Sequence, residues 1–197
     1  MLRHFLLIAV ILGAHTAAAQ DKEKPKPVTT KVTLEPKIDY HQPGAPMPRL
    51  DLITFDTLKH SKKYYRHHKE AIDTTMRKLT DKDFDNKGNL IVMMFNPTCG
   101  HCEDQTDQFE KNISLFSNTR LVMLSNLTMK TYMPDFIKNH HVKDYPAISI
   151  GMDNADFIKE TFLYSALPQI NVYSKDRKLI KIYNGEVKID SLKQYID

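Results

Sequence analysis

Cys99 and Cys102 are the only cysteines of the chain, and they stand three apart in Cys99-Gly100-His101-Cys102. An apolar run, Leu90-Ile91-Val92-Met93-Met94-Phe95, comes just before them. After them Cys102, Thr106, Phe109, Ile113 and Phe116 recur at spacings of four and three, the period of one helical face. The pair is therefore expected where a buried strand turns into a helix. There Cys99 meets unpaired N–H groups and the positive end of the helix dipole, which favour a thiolate. Residues three apart on a first helical turn share a face, so the two sulfurs can close a small disulfide. This spacing predicts a redox centre and thiol–disulfide exchange chemistry. Cys99, at the helix start, is expected to be the nucleophile. Cys102, one turn in and on the core face, is expected to resolve the mixed disulfide. Gly100 and His101 lie between them and are read as the redox-tuning positions, His101 because a nearby imidazolium would favour the thiolate.

Other chemistries fit less well. A structural zinc site needs four ligands, and the chain has no second cysteine pair. Its nine histidines include the doublets His67-His68 and His140-His141, but adjacent helical residues point in different directions and chelate poorly. A purely structural disulfide across so short a loop removes little unfolded-state entropy. Neither a metal site nor a cofactor is expected. The alternative function is a redox-active metal-binding module, resembling a copper chaperone and using the same two thiolates, since soft sulfur suits Cu(I).

The elements around this centre alternate. A short strand is expected at Leu50–Phe55 and a helix from about Thr57 to Leu79, where Leu58, Tyr65, Ile72 and Leu79 recur every seven residues. The basic run around Lys59–Lys69 is read as the solvated face of that helix. Asp85-Asn86-Lys87-Gly88-Asn89 marks a turn. Strands follow at Leu90–Phe95, Arg120–Leu124 and Ala147–Ile150. Helices are expected to Phe116, over Thr131–His141 and from Asp156 to about Tyr164. Two β-runs, Gln169–Tyr173 and Leu179–Tyr183, flank a hairpin-like turn at Ser174–Arg177. A closing helix runs over Ser191–Ile196 with Ser191 as its cap. This order predicts an α/β fold with a mixed central sheet flanked by helices and an N-terminal helical extension.

Residues 1–19 read as an export signal: Arg3 and His4, the apolar run Phe5–Leu12, then Ala17-Ala18-Ala19. The apolar run is too short to span a bilayer, and the mature chain is not expected to be membrane-spanning. Residues 20–46 are Lys- and Pro-rich and read as a flexible linker, leaving 47–197 as one domain. A periplasmic or secreted location is expected, where disulfides persist. The formal net charge of +4 is mild and makes no case for nucleic acid.

The strand–helix order with Cys-x-x-Cys at its first junction resembles the thioredoxin superfamily, closest to exported TlpA-like or redoxin-type proteins of Bacteroidetes. Cys99-Gly100-His101-Cys102 is the tetrapeptide of protein disulfide isomerase domains. Leu167-Pro168 stands before the penultimate strand, where the family has its cis-proline. The resemblance implies that Leu167 and Pro168 pack against the cysteines and hold substrate. It implies an oxidoreductase that reduces or isomerises protein disulfides, with protein thiol and disulfide substrates and a separate redox partner. Three positions depart from the pattern. Thr98 replaces the aromatic beside the nucleophile, Met93 replaces the buried acid that accepts the second cysteine's proton, and Gln169 follows the proline where Thr is usual.

Overall fold

The computed structural model describes residues 38–55, 76–84 and 88–196. The expected signal segment, most of the expected linker and the bulk of the expected helix (residues 56–75), with it the N-terminal helical extension, lie outside the described residues. In order, the elements are β1 (Leu52–Phe55), β2 (Met76–Leu79), β3 (Leu90–Phe95), α1 (Gly100–Lys111), β4 (Arg120–Asn126), α2 (Met133–Asn139), β5 (Ile148–Asp153), α3 (Ala155–Phe162), β6 (Gln169–Tyr173), β7 (Leu179–Asn184) and α4 (Ile189–Leu192). Among the described residues no helix is long and apolar enough to cross a membrane.

One seven-stranded mixed sheet runs β2-β1-β5-β4-β3-β6-β7. The pairs β3–β4 and β4–β5 are parallel, and the rest are antiparallel. All six residues of β3 are buried, as a near-continuous apolar run in a covered sheet should be. Successive side chains point to opposite faces. Ile91, Met93 and Phe95 join Phe109, Phe116 and Phe136 on one side, while Leu90, Val92 and Met94 join Ile158, Phe162 and Tyr173 on the other.

The second side is not wholly apolar. Gln169 and Asn171 of β6 are buried, with Gln169 Nε2 donating to Phe162 O at 3.0 Å and to Asn171 Oδ1 at 3.1 Å. Asn171 Nδ2 in turn donates to Tyr173 Oη at 3.3 Å. This hydrogen-bonded row offsets the desolvation of two carboxamides.

Two expectations need correction. The helix expected to run through Leu79 does not: Met76–Leu79 is β2, antiparallel to β1 in the register Leu52↔Leu79 to Phe55↔Met76. The backbone groups on that side of β1 need partners, and pairing with β2 satisfies them while burying Leu79. Nor is Ser191 a cap. The final helix begins earlier, with Lys188 at its N-cap, and Ser191 lies inside it. One cap escaped the sequence reading: Asn154 starts α3, its side-chain oxygen accepting from the N–H groups of Asp156 (2.8 Å) and Phe157 (3.3 Å).

Close approach of β1 to β5 depends on Gly151. A Cβ there would lie 2.8 Å from Leu52 Cβ and 3.3 Å from the Ile53 carbonyl oxygen. Gly151→Ala is expected to destabilise the domain by roughly 1–3 kcal/mol, the usual range for overpacking. Urea denaturation with an unchanged m-value checks this, and an unchanged midpoint would show that the strands yield freely.

Candidate active site

Strand β3 ends at Phe95, and Asn96 turns the chain. Its side-chain oxygen accepts from the Thr98 backbone N–H and hydroxyl, both at 3.0 Å, and its backbone oxygen accepts from Cys99 N–H at 3.1 Å. This turn places Cys99 at the N-cap of α1 with extended backbone (φ −105, ψ 114). Cys99 O accepts from the N–H groups of Cys102 (2.9 Å) and Glu103 (3.1 Å), the opening bonds of the helix. Phe109 then anchors the helix in the core beside Met93 and Phe116.

The two thiols differ sharply. Cys99 is partly exposed, whereas Cys102 is 0% exposed. Burial pushes the Cys102 thiol up from the ordinary 9.0 to about 12, with its hydrogen bond to Cys99 and the Cys99 and Glu103 charges adding to the rise. A backbone interaction with Asn96 opposes it. Met93 belongs to the same apolar cluster as Cys102, so that wall supplies no proton acceptor.

Three segments meet at the dithiol. The Leu167–Pro168 bond is cis, and Cys99 Sγ lies 4.0 Å from the Leu167 carbonyl oxygen. Pro168 O accepts from Gly185 N–H at 2.8 Å, which ties the loop after β7 to the proline. Gly185 has φ +87, a conformation that favours glycine. Gln105 Oε1 on α1 accepts from Val187 N–H at 2.7 Å, fixing the same loop to the helix that begins at the cysteines. Glu186, held between these anchors, contacts His101 Nδ1 through its carboxylate. The structure thus brings together Cys99, Gly100, His101, Cys102, Leu167 and Pro168, and adds Glu186, Asn96 and Gln105, for which the local sequence carries no signal. His101, Asp104 and Glu186 offer ligand atoms within 4.8 Å of one another, and all three lie at the surface. Among the described residues neither sulfur joins such a group of three.

The raised Cys102 thiol has a consequence for stability. The unfolded chain loses this proton first, so the reduced protein should lose stability as pH rises from about 9 toward about 12. A Cys102→Ala variant should lack that part of the loss. Denaturation midpoints across this window check it, and parallel curves for the two proteins would refute it. Iodoacetamide at pH 8 should modify Cys99 alone in the native state and both thiols after unfolding.

No family model and no curated protein matches the chain. Solved structures do. The thioredoxin domain of a thiol-disulfide oxidoreductase from Bacteroides vulgatus superposes with a TM-score of 0.55 at 15% identity, over 79% of this chain and 99% of that one. A candidate protein disulfide isomerase from Bacteroides thetaiotaomicron gives 0.56 at 16% identity, over 80% and 89%. The exposed lipoprotein thioredoxin of Streptococcus pneumoniae gives 0.50 at 14%, over 75% and 96%. The mixed sheet, the helix that begins at the cysteines and these superpositions together show that the chain has the thioredoxin fold.

Proposed function

We propose that the chain is a thiol–disulfide oxidoreductase that reduces or isomerises protein disulfides in an exported compartment. The observation that carries this reading is the unequal dithiol, Cys99 accessible and Cys102 sealed, facing the cis Leu167–Pro168 bond. The Cys99 thiolate attacks a substrate disulfide, forms a mixed disulfide and releases one substrate thiolate. Cys102 then attacks Cys99 Sγ, closes the Cys99–Cys102 disulfide and releases the second substrate sulfur. Two electrons pass to the substrate, and the Cys102 proton ends on a released thiol. With Met93 in the apolar wall, that proton leaves toward the mixed disulfide and solvent rather than to a buried acid. A redox partner returns the pair to the dithiol. Leu167 and Pro168 would hold the substrate as an extended segment, largely through backbone contacts. The N-terminal basic, apolar and small-residue run supports export to the periplasm or beyond.

The roles are separable by mutation. Cys99→Ser should abolish insulin reduction. Cys102→Ser should accumulate mixed disulfides with partner proteins, visible as adducts on non-reducing gels. Equal trapping by both variants would defeat the assignment.

Glu186 supports the reducing direction. Its carboxylate contacts His101 beside the nucleophile, and a negative charge there disfavours a thiolate at Cys99 and hence the reduced form. Glu186→Gln should raise the reduction potential of the pair by roughly 10–30 mV, up to a tenfold change in the exchange equilibrium. Equilibration with glutathione measures it, and a potential that stays or falls would remove Glu186 from the tuning set.

A further inference from the structure

The second histidine doublet acquires partners that its local sequence does not announce. His140 caps the C-terminal end of α2, and its backbone N–H donates to Phe136 O at 3.0 Å. Its ring stacks on Phe136 with centroids 4.5 Å apart, and Phe136 in turn packs on Phe95 at 4.8 Å. The imidazole is thus fixed against the core, its side chain only 11% exposed. Facing it are Asp107 and Glu110 of α1, three residues apart and on one helical face. His140 Nδ1 lies 3.0 Å from Asp107 Oδ1. One ligand atom from each of the three residues lies within 4.8 Å of the others.

Glu110 gives the second, independent observation. Its Oε1 is sealed from solvent and has no hydrogen-bond partner. A sealed, unpaired carboxylate oxygen is costly. Lys111, the neighbouring lysine, pairs instead with Asp107, its Nζ 3.8 Å from Asp107 Oδ2. A cation placed among the three ligand atoms would satisfy the Glu110 oxygen.

We propose that Asp107, Glu110 and His140 form a divalent-cation site, fitted to Zn²⁺, that clamps the C-terminal end of α1 to the end of α2. Two carboxylate oxygens and one imidazole nitrogen, with water as the fourth ligand, make a tetrahedral donor set of a kind zinc accepts. Metal–ligand arms of about 2.0–2.2 Å put neighbouring ligand atoms roughly 3.4 Å apart. The His140–Asp107 pair is already near that separation, and a rotamer adjustment of Glu110 closes the rest. The site stands apart from the dithiol. Glu110 follows Cys102 by eight residues, about 12 Å along the helix axis.

The test is calorimetric Zn²⁺ titration of the full exported chain with Cys99 and Cys102 oxidised, so that the thiolates cannot compete. Glu110→Gln preserves shape and hydrogen-bonding capacity, and His140→Ala removes the nitrogen ligand. Each should weaken one zinc site by tenfold or more and abolish the zinc-dependent rise in Tm, while insulin reduction by the metal-free protein is unchanged. Co²⁺ should give the visible absorption of a tetrahedral nitrogen–oxygen site without a sulfur charge-transfer band. Circular dichroism of the metal-free variants confirms that they fold, and Glu110→Gln alone decides the matter if His140→Ala does not. Absence of zinc uptake by the wild-type protein, or equal uptake by Glu110→Gln, would overturn the proposal. So would binding that His101→Ala removes and Glu110→Gln leaves intact.

Discussion

Everything at the dithiol depends on β3 being buried on both faces and paired on both edges. A strand so held cannot shift without disturbing the two cores and its hydrogen bonds to β4 and β6. Its last residue therefore delivers Asn96 and Cys99 to one place. The helix that follows is set by Phe109 and Phe116, which meet edge to face with ring centroids 5.7 Å apart. The inequality of the two sulfurs is the product of this placement: one cysteine at the rim of the helix start, the other driven into hydrocarbon.

The second layer is convergence. The segment before β6 and the loop after β7 are tied to each other and to α1 by two backbone-directed hydrogen bonds, Gly185 N–H to Pro168 O and Val187 N–H to Gln105 Oε1. These bonds make the surface around Cys99 a composite of three chain regions rather than a property of the tetrapeptide. An acidic side chain at Glu186 can consequently act on a centre 85 residues earlier.

Much of the centre was legible because its signals are local. The apolar run of β3 matched its observed bounds, and the spacing of Cys102, Thr106 and Phe109 placed the buried face of α1. The resemblance to thioredoxin-like proteins pointed to Leu167-Pro168. What stayed hidden depends on contacts between distant segments. The strand character of Met76–Leu79 comes from pairing with β1, and no periodicity in four residues separates it from the end of a helix. Glu186 and the partners of His140 lie far from them in sequence. His140 and His141 do point in different directions, as adjacent residues are expected to, and the residues that face His140 sit on another helix.

The hydrogen-bonded row along β6 has a consequence for how the proline finds its place. Gln169, Asn171 and Tyr173 point to one face, Ile170 and Val172 to the other. Sliding β6 by a single residue against β3 would exchange the faces. Two carboxamides would then enter the methionine- and phenylalanine-lined side without partners, at about 1–3 kcal/mol for each orphaned group. The amides thus act as a key that admits one alignment of the strand, and the Leu167–Pro168 segment, joined directly to Gln169, inherits from that key the position that sets the Leu167 carbonyl oxygen beside Cys99 Sγ.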